Sequence, residues 1–138
     1  MLQLSLPDDF KASYRIHDGS GREQLTPDEW SDRCYHLLSL EEIKQKWQFM
    51  QNSAKDTEQV IADDGIRAHW WHLSWIPFMY NFSCDLLCID MAPTASGTPG
   101  QVIEYLHDSV HREKIADSFA EFLDQLHCCW SEIDRSVD

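Results

Sequence analysis

"WIPFMYNFSCDLLCIDMAP", residues 75–93, gathers Cys84, Asp85, Cys88 and Asp90 into one short stretch, with His107 and His111 following soon after. Such a set fits a metal site, a thiol active site, or an ordinary strand in a protein that works by binding. The choice turns on whether the stretch is helix or strand. Pro77, Asn81, Ser83 and Pro93 adjoin it and argue against a helix. "DLLCIDM" (85–91) is a mostly apolar run of strand length. On a strand, Cys84, Leu86, Cys88 and Asp90 project from one face, and the two cysteines stand about 13 Å apart at ~3.3 Å per residue. That is too far for a disulfide, and too far for one zinc ion to hold both thiolates. Asp85 and Asp90 have no third group placed against them for acid–base work. The stretch is therefore predicted to be a strand, with no catalytic, cofactor-binding or metal-ligating residues assigned and no cofactor expected.

Working outward, the turn-rich loop "APTASGTPG" (92–100) leads into a second strand, "QVIEYLHD" (101–108), and the two make a long hairpin. Upstream, "IRAHWWHLSWIPF" (66–78) is rich in aromatics, as strands often are, and is expected to stop at Pro77. Helices flank these strands. Leu6-Pro7-Asp8-Asp9-Phe10 opens one, with proline in the first turn and aspartates favouring the dipole; "HDGSG" (17–21) closes it. Residues 22–38 are ambiguous: Thr26-Pro27-Asp28-Glu29 has the look of a capped turn, and "CYHLL" (34–38) of a short extended segment.

Ser39-Leu40-Glu41-Glu42 is a capping box. Leu40, Ile43, Trp47, Met50, Ala54, Thr57 and Ile61 then recur at spacings of three and four, predicting one long buried stripe that ends near "DDG" (63–65). Ser118-Phe119-Ala120-Glu121 is a second box, opening a helix with Phe119, Phe122, Leu123, Leu126, Trp130 and Ile133 on one side. Helices first, strands in the middle and a helix last predict an α+β fold. The expectation is a single domain over residues 1–138, a twisted multi-stranded sheet flanked by helices.

The remaining histidines and cysteines form no recognisable centre. His107-x-x-x-His111 has the spacing of a helical metal pair, but Asp108 stands where the zinc proteases place glutamate, and His107 belongs to a strand end. His69 and His72, on a strand, would face opposite ways. Five cysteines, at 34, 84, 88, 128 and 129, are no disulfide framework and are expected to be reduced thiols. No P-loop, nucleophile elbow or dinucleotide-binding glycine pattern is present.

Charge narrows the function. Eleven basic residues against 24 acidic ones give −13. Such a surface repels phosphate backbones and anionic lipid, so nucleic-acid and membrane binding are disfavoured, and a basic protein partner is favoured. Asp56, Glu58, Asp63 and Asp64 stand just before Trp70-Trp71, the mixture of charge and aromatic anchor that interfaces use. "MLQLSLPDDF" lacks the pattern of a signal peptide, and no apolar run approaches the ~20 residues of a membrane span, so a cytoplasmic address is expected.

Taken in order, "LPDDFKASYRIHDG" (6–19), "LLSLEEIKQKW" (37–47), "WIPF" (75–78), "CDLLCIDMAP" (84–93), "GTPGQVIEYLHD" (97–108) and "IADSFAEFLDQL" (115–126) resemble the SUKH superfamily. This superfamily includes the Smi/Knr-type fungal cell-wall regulators and many bacterial immunity proteins. The resemblance implies an α+β binding module without an established active site. It places Leu6, Pro7, Gly19, Trp47, Pro77, Ser118 and Phe119 in the framework. Asp85 and Asp90 match the polar positions of the family's "GD…D" strand, and Asp85 joins Asp56, Glu58, Asp63, Asp64, Trp70 and Trp71 as a partner-facing residue. Phe82-Ser83-Cys84 replace the glycines common before the first aspartate, so a turn needing positive φ there would be strained. The leading expectation is a non-enzymatic immunity protein that neutralises a basic toxin, a nuclease being one candidate. The alternatives are a regulatory scaffold of the cell-wall or signalling type, and a small metallo- or thiol-hydrolase.

Overall fold

A computed structural model describes residues 6–16, 35–52, 59–81 and 83–136. Gly19 and the "HDGSG" stop, the 26–29 turn, Cys34, Ala54, Asp56, Thr57 and Glu58 lie outside the described residues, as do the side chains from 128 onward. The elements run α1 (Asp8–Ile16), β1 (His36–Leu37), α2 (Leu40–Gln51), β2 (Ile61–Ala62), β3 (Trp75–Tyr80), β4 (Leu86–Asp90), β5 (Gln101–Tyr105), β6 (His111–Ala116) and α3 (Phe119–Ser136). The six strands form one sheet in the order β1-β3-β4-β5-β6-β2, antiparallel except for the parallel β2–β6 pair. This is the expected α+β architecture, with the β4–β5 hairpin at its centre. Among the described residues no helix is long and apolar enough to cross a membrane.

Alternation along β4 sorts the core into two layers. Leu87 and Ile89 face a cluster built with Phe10 of α1, Ile43 of α2 and Phe119, Phe122 and Leu126 of α3. Leu86 and Cys88 face the other cluster, with Trp71, Trp75, Ile103, Tyr105 and Met50. Trp47 packs against both. The aromatic rings of the first layer meet edge to face, Phe10 lying 5.9 Å from Phe78 and 5.1 Å from Phe119, as ring quadrupoles prefer.

The caps explain where the helices begin. Ser39 Oγ accepts from Glu42 N at 3.2 Å, and Glu42 returns the bond to Ser39 N at 2.9 Å. The second box is only half formed. Ser118 Oγ accepts from Glu121 N at 3.0 Å, but the Glu121 carboxylate takes the N–H of Asp117 instead, at 3.0 Å. Asp9 serves two helices, accepting from Phe10 N at 2.7 Å and from Ala120 N at the start of α3 at 3.0 Å.

Four expectations are corrected. α2 stops at Gln51, so the stripe is shorter than its periodicity implied: Ile43 and Met50 are buried, Trp47 is half-buried, and Leu40 and Ile61 are 49% and 56% exposed. Ile61 belongs to β2, where its N–H pairs with the Val110 carbonyl. The strand expected over 66–78 begins only at Trp75, and residues 66–74 form an irregular strap across the second layer. Nor does it end at Pro77. A register shift between Pro77 and Met79 marks a bulge, where proline's missing donor is tolerated, and β3 runs on to Tyr80. Because the strap is not a strand, His69 and His72 do not diverge; their rings meet at 5.2 Å. One strand was not foreseen at all: β6, because "HREKIA" exposes His111, Glu113 and Lys114 and reads as a polar loop.

Candidate partner-binding surface

The turn before β4 is built by one side chain. Asn81 Oδ1 accepts from Ser83 N at 3.1 Å and from Asp85 N at 2.9 Å, while its amide donates to Asp85 Oδ2 at 3.0 Å. The turn forces Cys84 to φ +73°, the left-handed region that the missing glycine would have entered without strain. Asp85 is itself buried. Its Oδ1 accepts from His107 N at 3.1 Å and lies 2.8 Å from His107 Nδ1, which ties the start of β4 to the end of β5. Burial pushes the Asp85 carboxyl up, but the bonds from Asn81 and His107 outweigh it and hold it below the ordinary carboxylate value. Asp108 completes a group whose ligand atoms lie within 4.8 Å of one another. The Asp85 oxygens accept from Asn81 and lie against His107, and this makes Asp85 a joint between strands.

At the other end of β4, Asp90 is fully buried. It accepts from Ala92 N and from Gln101 Nε2, each at 2.9 Å, and that same amide reaches Gly65 O at 2.9 Å. Asp85 and Asp90 thus serve separate networks and form no acid–base pair. Of the two cysteines in the opening stretch, Cys84 is exposed and Cys88 buried, both as free thiols. Burial, followed by the nearby Asp90, pushes the Cys88 thiol well above its ordinary value, so it remains protonated and unreactive.

The strap holds the two tryptophans differently. Trp71 is buried, its ring 5.6 Å from Trp75 and 5.5 Å from Tyr105, so it anchors the core. Trp70 is half-buried and lies over the guanidinium of Arg112 at 4.8 Å, with Tyr105 at 4.5 Å. Arg112, a residue the sequence did not single out, is fully buried. It donates to the carbonyls of Ser109, His111 and Trp70, each at 2.9 Å. No pattern in "HREK" distinguishes this inward-facing arginine from a solvated one.

Charge is concentrated elsewhere on the surface. Asp63 is exposed, yet its carboxylate accepts from Lys114 N at 2.9 Å, joining β2 to β6; Asp64 beside it is exposed. Around Lys114, whose side chain bonds Asp117 at 2.7 Å, Asp117, Glu121 and Asp63 raise the ammonium pKa, Asp117 most. Glu113, Asp117, Glu121 and Asp124 are all exposed and extend this acidic edge from β6 onto α3. They went unassigned because β6 was unforeseen. Aromatic surface is offered by α2, where Phe49 is 64% exposed and lines a cleft of about 260 Å³ with Lys46 and Tyr80. Lys46 Nζ lies 4.2 Å from the Tyr80 ring centre.

Comparison with known proteins gives this arrangement its relatives. Residues 1–125 match the SMI1 / KNR4 family (SUKH-1). The "Cell wall biosynthesis/cell cycle regulator smi1" of Schizosaccharomyces pombe is 29% identical, over 88% of this chain and 27% of its own length. The "Cell wall assembly regulator SMI1" of Saccharomyces cerevisiae is 22% identical, over 88% and 31%. The "Glucan synthesis regulatory protein" of Neurospora crassa is 27% identical, over 88% and 30%. The chain therefore spans about three-tenths of the length of these relatives. By the extent of that family match, the chain belongs to the SMI1 / KNR4 family (SUKH-1).

Proposed function

We propose that this chain is a non-enzymatic protein-binding domain that serves a regulator of cell-wall assembly, and that its partner presents a basic surface. The observation that carries the proposal is the placement of charge. Among the described residues, Lys114 pairs with Asp117, the His107 ring lies against Asp85, and only Asp85, Asp90 and Glu104 are buried acids. Most of the described part of the −13 excess therefore faces solvent, where it steers a cationic partner and speeds encounter. Asp64 and Glu113 are among these exposed acids. Trp71 and Asp85, which the sequence placed with the partner-facing residues, are committed to packing and to strand joining.

The names of the relatives support regulation over toxin neutralisation. An immunity role remains the second reading, because the same negative face suits a cationic nuclease. The test is to disrupt the native gene and measure wall glucan, then complement with the intact gene or with one lacking this domain. A wall defect restored only by the intact gene supports the regulatory reading. An unaltered wall, together with protection of cells against a basic toxin encoded nearby, would replace it with the immunity reading.

A further inference from the structure

The strap carries a device that neither the family nor the charge requires. Residues 72–75 form a turn closed by Trp75 N donating to His72 O at 3.0 Å, and the His72 ring completes it by accepting the N–H of Ser74 at Nδ1, also 3.0 Å. This is the bond an asparagine or aspartate makes at the first position of such turns. A histidine makes it only while neutral, with Nδ1 bare and the proton on Nε2. The turn is an anchor point for two neighbours. Leu73 O accepts from Trp47 Nε1 of α2 at 2.8 Å, and Ser74 O accepts from Met91 N beyond β4 at 3.0 Å.

We infer that the His72 turn is an acid-sensitive latch: protonation of its ring opens the turn and loosens the hold of the strap on Trp47 and α2. A proton arriving at Nδ1 converts the acceptor into a donor that faces the Ser74 N–H. The bond is lost, and two donors oppose each other. The new charge also meets Arg67 and His69 on its own segment, His69 with its ring at 5.2 Å, while Asp90 of β4 attracts it and Trp75 of β3 lies 6.2 Å away. Burial, then His69, then Arg67 hold the ring below the ordinary histidine value of 6.5, and Asp90 opposes them without reversing the direction. The folded ring therefore binds its proton less readily than the unfolded one. The latch is fully closed above about pH 6.5 and opens as pH falls through the lower folded value.

The test is an NMR titration of the intact chain from about pH 7.5 to about pH 5, following the His72 ring nitrogens, the Ser74 amide and the Trp47 indole N–H. All three should shift with one midpoint below 6.5. Ser74 amide exchange, corrected for its intrinsic pH dependence, should quicken about tenfold on acidification, the equivalent of one lost hydrogen bond. His72→Asn keeps an acceptor that does not titrate, so Ser74 and Trp47 should become indifferent to pH; His69→Gln should preserve the response and raise its midpoint. The latch is overturned if His72 titrates in the wild type while Ser74 and Trp47 do not follow. It is equally overturned if His72→Asn responds to acid as the wild type does.

Discussion

Cys84→Gly should be more stable than Cys84→Ala, and the size of the difference follows from the backbone. Cys84 sits at φ +73° in the turn that Asn81 organises. A left-handed conformation costs an L-residue on the order of 1–2 kcal/mol, and glycine escapes that cost. Glycine also loosens the unfolded chain, which returns about 0.4–1 kcal/mol to the unfolded side. The net gain over a strained reference is about 0.5–1 kcal/mol, or roughly 2–4 °C in Tm for a chain of this size. The thiol also lies beside the Tyr80 hydroxyl, so the proper reference is Cys84→Ala, which removes that contact and keeps the strain. Urea denaturation under reducing conditions, with matched m-values, should rank Gly above Ala by that margin. An alanine variant as stable as the glycine variant would refute the claim that this turn stores strain.

Three further outcomes follow from the geometry. Trp47→Phe should cost about 1 kcal/mol through the lost Leu73 bond, and Trp47→Ala about 2–3 kcal/mol, less than a fully buried tryptophan because Trp47 is only half-buried; thermal melts check both. Asp85→Asn should be destabilised at neutral pH and converge on the wild type in acid. The depressed folded pKa supplies stability that is present above the ordinary carboxylate value of 3.8 and is lost as pH falls through the folded one, as Tm against pH would record. Gly97→Ala would place a methyl group against the Gly65 carbonyl and within 2.8 Å of Pro93 Cβ, so it should lose about 2–3 kcal/mol through forced backbone movement, read from urea unfolding.

What the sequence revealed follows the reach of each signal. A continuous apolar run made β4 legible, because both sides of that strand are buried, and the alternation of strand side chains then placed Leu86 and Cys88 on one face. The Ser39 box was legible because capping is local. The end of α2 was not: Ile61 continues the helical spacing, yet its partner is Val110, far along the chain. The strap misled for a similar reason. Trp70 and Trp71 have strand-like chemistry, but Arg112 and the second core layer hold them in an irregular path. Asp85 was legible as a position and not as a role, since only the fold brings His107 2.8 Å from it.

The central claim, a domain that binds a basic partner through its acidic face, is tested most directly by affinity purification from native cells with quantitative mass spectrometry. The wild-type domain is compared with Asp64→Lys plus Glu113→Lys, at low and at high salt. Both positions are exposed, so folding should be retained, with changes of ~0.5 kcal/mol or less. The account predicts one stoichiometric protein with a basic surface, held by the wild type at low salt, released at high salt, and lost by the charge-reversed variant. A partner retained equally by both forms, and indifferent to salt, would contradict it.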